Sequence, residues 1–364
     1  MDSSNLRIEP FSGEEAFREL SGESFAAAIG MPEEHIRWVP AMEPGNASRM
    51  WLQEFSLSFD YSVLLLSERT GEKDGPFGTR ILLFSTNNLV ALRVIELPYI
   101  AREIRCEGCS GRLWFLREPQ PDTLRDSAAL CILDVKEGKL IQEIPLKSVP
   151  DRMVPHITGK FAWIYEKGVL SRVYSDGNIQ KVLQVKDGKD LSFSPDCEYF
   201  TVMTKTGFEV YSSGTVRRIN KTDFVSGNTF LYLNGDPPGF LVGKSKSGIP
   251  GLFWLETLYI VTEGKIRIFS DDLSGSIVPD FSGKSFFAVK PNGRIERLNA
   301  VTGKTVGYCI HRSLKPAYPG NILHLFPLNE PDRFLIFDTA GGLSKVDAST
   351  KRWHRVQSMR PWTE

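Results

Sequence analysis

The chain has 364 residues, with 44 Lys and Arg against 44 Asp and Glu, and apolar residues make up 41% of it. These values are ordinary for a globular protein. A formal net charge of zero gives no indication of nucleic-acid binding or of an acidic substrate. The longest apolar stretches fall short of the roughly eighteen residues that a transmembrane helix needs, so we expect no membrane insertion.

Residues 1–50 form an acidic extension that differs from residues 51–364. Nine acidic residues and four arginines give it a net charge of −5, which leaves +5 for the rest of the chain. Ser12, with Glu15 three residues later, predicts a helix start, and apolar residues at helical spacing continue to Ile29. We expect this amphipathic helix to pack on the following domain; the alternative is that it docks a partner protein.

The start of the chain does not resemble an export signal. It lacks a basic segment, and acidic residues interrupt the apolar stretch from Phe11 to Ile29. The five cysteines, an odd number, do not indicate a disulfide framework. We therefore expect a cytoplasmic protein.

Residues 51–364 repeat one pattern seven times. A short apolar strand, a tight turn, two further strands and a more polar fourth strand follow one another, most clearly from Asp190 to Tyr211. Four strands in a period of about forty residues predict an all-β, seven-bladed β-propeller. The blades are predicted at 53–98, 102–148, 152–185, 188–222, 226–271, 274–312 and 322–358.

Individual blades carry further expectations. Continuously apolar inner strands predict burial on both faces, whereas alternating outer strands predict one face in water. The fifth blade has the least regular spacing. The seventh has four strands of its own and ends near Val356, so it need not borrow a strand from the N-terminus.

Two motifs resemble those of a known superfamily. Ser192 to Asp196, read as SFSPD, is similar to the first-strand turn of WD-repeat-like propellers. Gly293 to Lys304 resembles the third-strand turn of quinoprotein-like repeats, which residues 136–139 and 348–351 echo. The resemblance implies a propeller fold. The Gly-His and Trp-Asp pairs are missing, so the chain is not an orthodox WD-repeat protein. The calcium-bound cofactor site with stacked Trp that quinoprotein dehydrogenases need cannot be located in the sequence, so the resemblance carries no cofactor over to this chain.

Cys106 and Cys109 have the only metal-like spacing in the chain. A tetrahedral zinc site needs two further ligands, and the other cysteines and histidines are scattered. A redox pair would need a helix N-terminus beside the first thiol, whereas the surroundings indicate strand and turn. We interpret the pair as structural thiols, with a metal or redox site as the alternative, and we expect no cofactor.

Long loops are predicted on one face of the propeller. Blades one and two use about eleven residues each, 69–79 and 117–127, between their second and third strands, and the segment 312–320 opens on the same face. Aromatic, proline and basic residues concentrate there, as in protein-recognition surfaces. The candidate interaction residues are Lys73, Phe77, Pro119, Leu124, Arg125, Arg312, Lys315 and Tyr318.

Function is predicted from this loop face. The histidines show no catalytic motif, and no glycine-rich turn precedes a helix that could hold a phosphate. We expect a non-catalytic scaffold that binds one or more proteins and no nucleic acid. The alternative is a propeller enzyme, or a protein that binds a small molecule or carbohydrate, with a polar site at the central channel.

Overall fold

The computed structural model describes most of residues 51–358 and a short part of the N-terminal extension. The described ranges are 24–29, 52–70, 77–108, 110–120, 127–223, 230–233, 239–249, 253–262, 265–273, 276–290, 294–310, 323–338, 342–349 and 352–358. Within these ranges there are one short helix and twenty-eight strands.

The helix and the first sixteen strands lie mainly in one compact unit. Their bounds are α1 (Phe25–Ile29); β1 (Leu52–Leu57), β2 (Val63–Thr70), β3 (Gly78–Ser85), β4 (Ala91–Leu97); β5 (Ala101–Glu107), β6 (Arg112–Arg117), β7 (Ala129–Asp134), β8 (Lys139–Pro145); β9 (Arg152–Pro155), β10 (Phe161–Glu166), β11 (Val169–Tyr174), β12 (Ile179–Gln184); β13 (Gly188–Phe193), β14 (Tyr199–Thr204), β15 (Phe208–Ser212) and β16 (Arg218–Thr222).

The remaining twelve strands belong to a second compact unit. Their bounds are β17 (Phe230–Leu233), β18 (Gly239–Ile249), β19 (Phe253–Thr262), β20 (Lys265–Leu273); β21 (Ile277–Pro279), β22 (Ser285–Val289), β23 (Arg294–Asn299), β24 (Thr305–Ile310); β25 (Leu323–Pro327), β26 (Arg333–Asp338), β27 (Gly342–Asp347) and β28 (Arg352–Ser358).

These strands form seven antiparallel sheets, each made of four consecutive strands. The predicted all-β, seven-bladed β-propeller is therefore confirmed, with each sheet as one blade. Among the described residues, the seventh sheet consists of β25 to β28, so the prediction that the last blade supplies four strands of its own is also confirmed.

In the first unit, the first strand of each blade lies beside the first strand of the next: β1 beside β5, β5 beside β9, and β9 beside β13. Apolar side chains fill the space between successive blades. One buried cluster joins blades one and two, another joins blades two and three, and a third joins blades three and four. Blades five and six, and six and seven, share similar clusters in the second unit.

The first-strand turn of blade four explains its sequence motif. The Ser194 hydroxyl donates to Asp196 Oδ1 at 2.6 Å and accepts the Tyr199 N–H at 2.9 Å. Blade one repeats this turn with Ser58 and Asp60, where the corresponding hydrogen bond is also 2.6 Å. A short side chain thus closes each turn by satisfying backbone groups that the strands leave free.

The third-strand turn of blade six has a related explanation. The side-chain oxygen of Asn299 accepts the N–H groups of Val301 and Thr302 at 3.1 and 2.9 Å. Gly303 has a φ of 68°, in the left-handed region that favours glycine. Asp134 and Asp347 accept backbone N–H groups at the same place in blades two and seven.

Blade five has the least regular spacing in the sequence, yet it forms long, paired strands. Its second and third strands, β18 and β19, are its longest and have eleven and ten residues. The polar run from Lys244 to Gly248 suggests a loop, yet its backbone pairs with Trp254 to Thr257 across a bulge. Backbone pairing has overridden weak strand propensity here.

The helix α1 packs on blades one and two. Phe25 and Ile29 are fully buried in the cluster that these blades share. Asp60 Oδ2 accepts the Phe25 N–H at 2.8 Å, and the Ser62 hydroxyl accepts the Ala26 N–H at 3.1 Å. This supports packing on the propeller for the described turn; the rest of the predicted helix lies outside the described residues. At five residues, α1 is too short to cross a membrane.

We expect Phe25→Ala to lower the free energy of unfolding by about 3–5 kcal/mol, because it removes a fully buried aromatic ring from a packed cluster. Ala27 on the same turn is exposed, so Ala27→Ser is the matched control and is expected to change little. Urea denaturation followed by fluorescence measures both. Equal stability of Phe25→Ala and the wild type would contradict this packing.

Candidate functional site

The strand bounds place the longest connections between second and third strands in blades one and two. In blade one, pairing of Arg69 with Thr79 and of Thr70 with Gly78 extends the strands, so the connection is 71–77 and not the predicted 69–79. In blade two it runs from residue 118 to residue 128. Each of the other five blades turns within two to four residues. The loop-length contrast predicted from the sequence is present.

The loops of blades one and two contact each other through Phe77 and Gln120. Gln120 Nε2 donates to the carbonyl oxygen of Phe77 at 2.8 Å. On the other side, the guanidinium of Arg69 lies 3.9 Å from the centroid of the Phe77 ring, within the range of a cation–π contact. Phe77, predicted as an interaction residue, is therefore held by contacts from both blades.

The start of the blade-two loop is held by a backbone hydrogen bond and an ion pair. The Glu118 N–H donates to the Ile100 carbonyl oxygen at 2.9 Å, and the Glu118 carboxylate pairs with Arg102 at 3.1 Å. Pro119, another predicted interaction residue, follows directly. Because the ion pair is half-exposed, most of the positioning comes from the backbone hydrogen bond.

The end of the same loop is held by Arg117, a buried arginine on β6. Its guanidinium pairs with Glu143 at 2.7 Å, donates to the Ser127 carbonyl oxygen at 3.2 Å, and lies 5.9 Å from the Tyr99 ring centroid. A planar guanidinium makes these contacts in several directions at once. Both ends of the loop are thus attached to the blade.

Other predicted residues fall outside this description. Lys73, Leu124, Arg125, Arg312, Lys315 and Tyr318 lie outside the described residues, as does Cys109. Cys106 is buried between blades one and two, and burial, with a smaller contribution from Asp60, raises the pKa of its thiol. A metal ligand or reactive thiol needs the opposite shift. No group of three or more His, Cys, Asp or Glu suited to a metal ion occurs within the described ranges.

A charged cluster on the inner strands of blades one to four was not predicted. Arg105 on β5 reaches Glu103 at 3.3 Å and Glu54 of β1 at 3.5 Å. Arg152 on β9 pairs with Glu103 at 3.1 Å and holds Asp190 of β13 through two hydrogen bonds of 2.8 and 3.2 Å. The charges therefore connect four successive inner strands. The available sequence signal was the presence of charged residues in first strands that the repeat predicts to be inner strands.

The backbone at Glu103 makes this cluster possible. Glu103 has a φ of 50°, in the left-handed region that a glutamate seldom adopts. The pairing of β5 with β6 shifts at this point. As a result, the N–H groups of Glu103 and Ile104 both donate to the Glu54 carboxylate, at 2.8 and 3.0 Å. A strained residue held by such contacts is typical of a site where a side chain must be aimed.

Tyr165 lies beside this cluster and is almost completely buried. Burial, together with the charges of Asp151 and Asp190, raises the pKa of its phenol to about 12. Its hydroxyl has no hydrogen-bond partner among the described residues. A Cβ on Gly188 would overlap that hydroxyl. A phenol that keeps its proton at neutral pH is suited to packing or to donating a hydrogen bond, and not to acting as a base.

The comparisons with known proteins support the fold alone. No family model matches the sequence, and no curated protein is similar to it. Among solved structures, the chain is similar to dihydro-heme d1 dehydrogenase NirN, with 14% identity, a TM-score of 0.57, and coverage of 89% of this chain and 76% of that one. It is also similar to Hsv2 of Kluyveromyces marxianus, with 9% identity, a TM-score of 0.58, and coverage of 84% and 96%.

A third similar structure is the β-propeller domain of Cps50 (Swd1) from Myceliophthora thermophila, with 9% identity, a TM-score of 0.55, and coverage of 82% and 98%. The resemblance to WD-repeat-like propellers is thus confirmed at the level of fold. These structures include an enzyme as well as WD40 propellers, so the shared fold does not select a function.

We expect Gly188→Ala to lower the free energy of unfolding by about 1–3 kcal/mol, because the new methyl group overlaps the Tyr165 hydroxyl. Tyr165→Phe removes that hydroxyl and is the rescuing change, so the double variant should recover part of the loss. A double-mutant cycle measured by urea denaturation tests this. If the two changes in the free energy of unfolding are strictly additive, the added methyl group does not contact the Tyr165 hydroxyl.

We also expect Tyr165 to make stability depend on alkaline pH. The native state keeps the phenol proton up to about pH 12, whereas an unfolded tyrosine loses it near its ordinary pKa of about 10. The unfolded state then binds fewer protons, so the free energy of unfolding falls as pH rises above about 10. Tyr165→Phe should show a shallower fall between pH 9 and 11 than the wild type. Parallel curves would contradict the shifted pKa.

Proposed function

We propose that this propeller binds another protein through the loop face of blades one and two. The observation that carries the proposal is the contact between their loops, in which Gln120 and Arg69 hold Phe77 in place. Side chains that are already held in place, such as Phe77, lose little conformational entropy on binding. The aromatic ring of Phe77, Pro119 and the ion pair of Glu118 with Arg102 form the mixed surface that is common in protein recognition.

Three described contacts hold the two ends of the blade-two loop and join it to blade one. The Glu118 N–H bond to Ile100 fixes one end of the blade-two loop, and Arg117 fixes the other through Ser127. The Gln120 bond then attaches the loop to blade one. The corresponding turns in the other five blades are short, so long connections between second and third strands are specific to blades one and two.

The alternative function is a polar ligand site or an enzyme on the inner strands. Arg152 and Asp190 favour this alternative, because their side chains are 42% and 45% exposed and are therefore open to a ligand. Arg152 also pairs with Glu103, whose backbone is strained. Against it, the carboxylates of Glu54, Glu103 and Asp190 are already paired with guanidinium or backbone N–H groups. Charges that satisfy one another serve the structure without a ligand, so protein binding is the function we put forward.

The loop proposal is tested with two matched double variants. Phe77→Ala/Gln120→Ala removes the contact between the loops. Val90→Ala/Glu137→Ala changes exposed residues on the third-to-fourth-strand turns of the same two blades, at the opposite end of the strands. Proteins that co-purify with the wild type should be lost or reduced about ten-fold with the first variant and kept with the second.

Direct binding of the purified partner to each variant, measured by calorimetry, completes the test. Recovery of the same proteins with Phe77→Ala/Gln120→Ala as with the wild type would show that this face is not the binding surface. If a partner is lost only with an Asp190→Asn variant, the inner-strand alternative is favoured instead.

A further inference from the structure

The outer strand of blade six lacks the charges that protect the outer strands of the other blades. β24 consists of Thr305, Val306, Gly307, Tyr308, Cys309 and Ile310. Each of the other fourth strands, β4, β8, β12, β16, β20 and β28, contains at least one Lys or Arg. Such residues on an edge strand discourage pairing with another chain. β24 is therefore the fourth strand best able to pair with one.

Two apolar side chains on this strand are open to solvent. Val306 and Tyr308 are 60% and 59% exposed. Tyr308 pairs with Glu296, and Val306 lies at the bulge where the pairing of β24 with β23 shifts, between the partners of Arg297 and Leu298. The guanidinium of Arg294 lies 3.6 Å from the Tyr308 ring centroid, a contact that holds the ring in place. The strand thus presents an ordered apolar strip beside its own edge.

The Tyr308 side of this strip faces blade five. Tyr308 lies opposite Glu296, on the same side of β23 as Leu298, which packs in the cluster shared with blade five. Arg267 of β20 donates to the Val301 carbonyl oxygen at 2.8 Å near the start of β24. Lys290 donates to the Asp271 carbonyl oxygen at 2.6 Å. The two blades are therefore fixed against each other on both sides of the strip.

The charges near this strip are mainly positive. Lys265, Arg267 and Lys304 are exposed, and Lys290 and Arg294 are partly exposed. Glu296 lies 3.9 Å from Lys290 and 3.5 Å from Arg294, so it offsets part of their charge, and it accepts the Thr305 hydroxyl at 2.7 Å. The three exposed cations add positive charge that favours an acidic ligand.

We propose that β24 binds an extended, acidic segment of a partner protein, which pairs with its free edge and places apolar side chains on Val306 and Tyr308. Edge pairing supplies main-chain hydrogen bonds, and alternate side chains supply specificity. A second copy of this chain would bring the same cations against Arg267, Arg294 and Lys304, so charge disfavours self-pairing. This proposal rests on other residues than the proposal for the loops of blades one and two, and neither proposal requires the other.

The test uses the full chain and a defined probe, a fluorescein-labelled decapeptide of alternating Glu and Val, with an alternating Lys and Val decapeptide as the charge control. Fluorescence anisotropy measures binding. The wild type should bind the Glu peptide at least about ten-fold more tightly than the Lys peptide, and its affinity should fall as salt rises. Val306→Ser/Tyr308→Ser should weaken binding by about ten-fold or more, because it removes the apolar contacts and leaves the charge of the surface unchanged.

Ile266→Ser/Ile268→Ser is the matched control, because these residues have the same spacing and are 44% and 62% exposed on β20. It should stay within about two-fold of the wild type. The single change Tyr308→Ser should also weaken binding, and unchanged urea denaturation of this variant shows that the loss is not caused by misfolding. Equal binding by wild type and Val306→Ser/Tyr308→Ser, equal binding of both peptides, or no binding of either would overturn the proposal. Dimers in sedimentation that Val306→Ser/Tyr308→Ser abolishes would assign β24 to self-pairing and overturn it too.

Discussion

Burial of apolar strands between neighbouring blades is the constraint on which the rest of this structure depends. A single four-stranded sheet of this size has two apolar faces and cannot cover both by itself. Trp114 and Trp163, both fully buried, illustrate the solution, since each is covered by residues of the blade that follows its own. Once the strands are committed to this packing, only turns, loops and outer strands can vary without loss of the core.

The turn motifs show how variation arises from a repeated unit. In blade four, Asp196 closes its own turn and accepts the Glu198 N–H at 3.0 Å. Asp60 closes the same turn in blade one, but it is buried and also accepts the first N–H of α1. One local solution to backbone hydrogen bonding thus gives an ordinary surface turn in one blade and a helix attachment in another. The neighbouring residues decide which occurs.

Much of the fold could be predicted because strand burial and turn chemistry are local properties. The repeat at Asp190 to Tyr211 and the turn at Asn299 to Gly303 are readable from the sequence for this reason. The charged cluster was missed because it depends on contacts 38 to 51 residues apart, such as Arg152 with Asp190 and Arg105 with Glu54. A lone charge in an apolar strand indicates that a partner exists, yet it does not identify that partner.

The same distinction explains why the candidate site was predicted only in part. Loop length is a local property, and it indicated blades one and two. The bond from Gln120 to Phe77 joins residues 43 positions apart, and no short motif announces it. The uncharged edge of β24 is different, since it is visible in the sequence once the seven fourth strands are aligned. Its significance follows only from the exposure of Val306 and Tyr308, because an uncharged strand that was covered would need no protection. Sequence therefore locates unusual segments in a repeat, and packing decides which of them are free to bind.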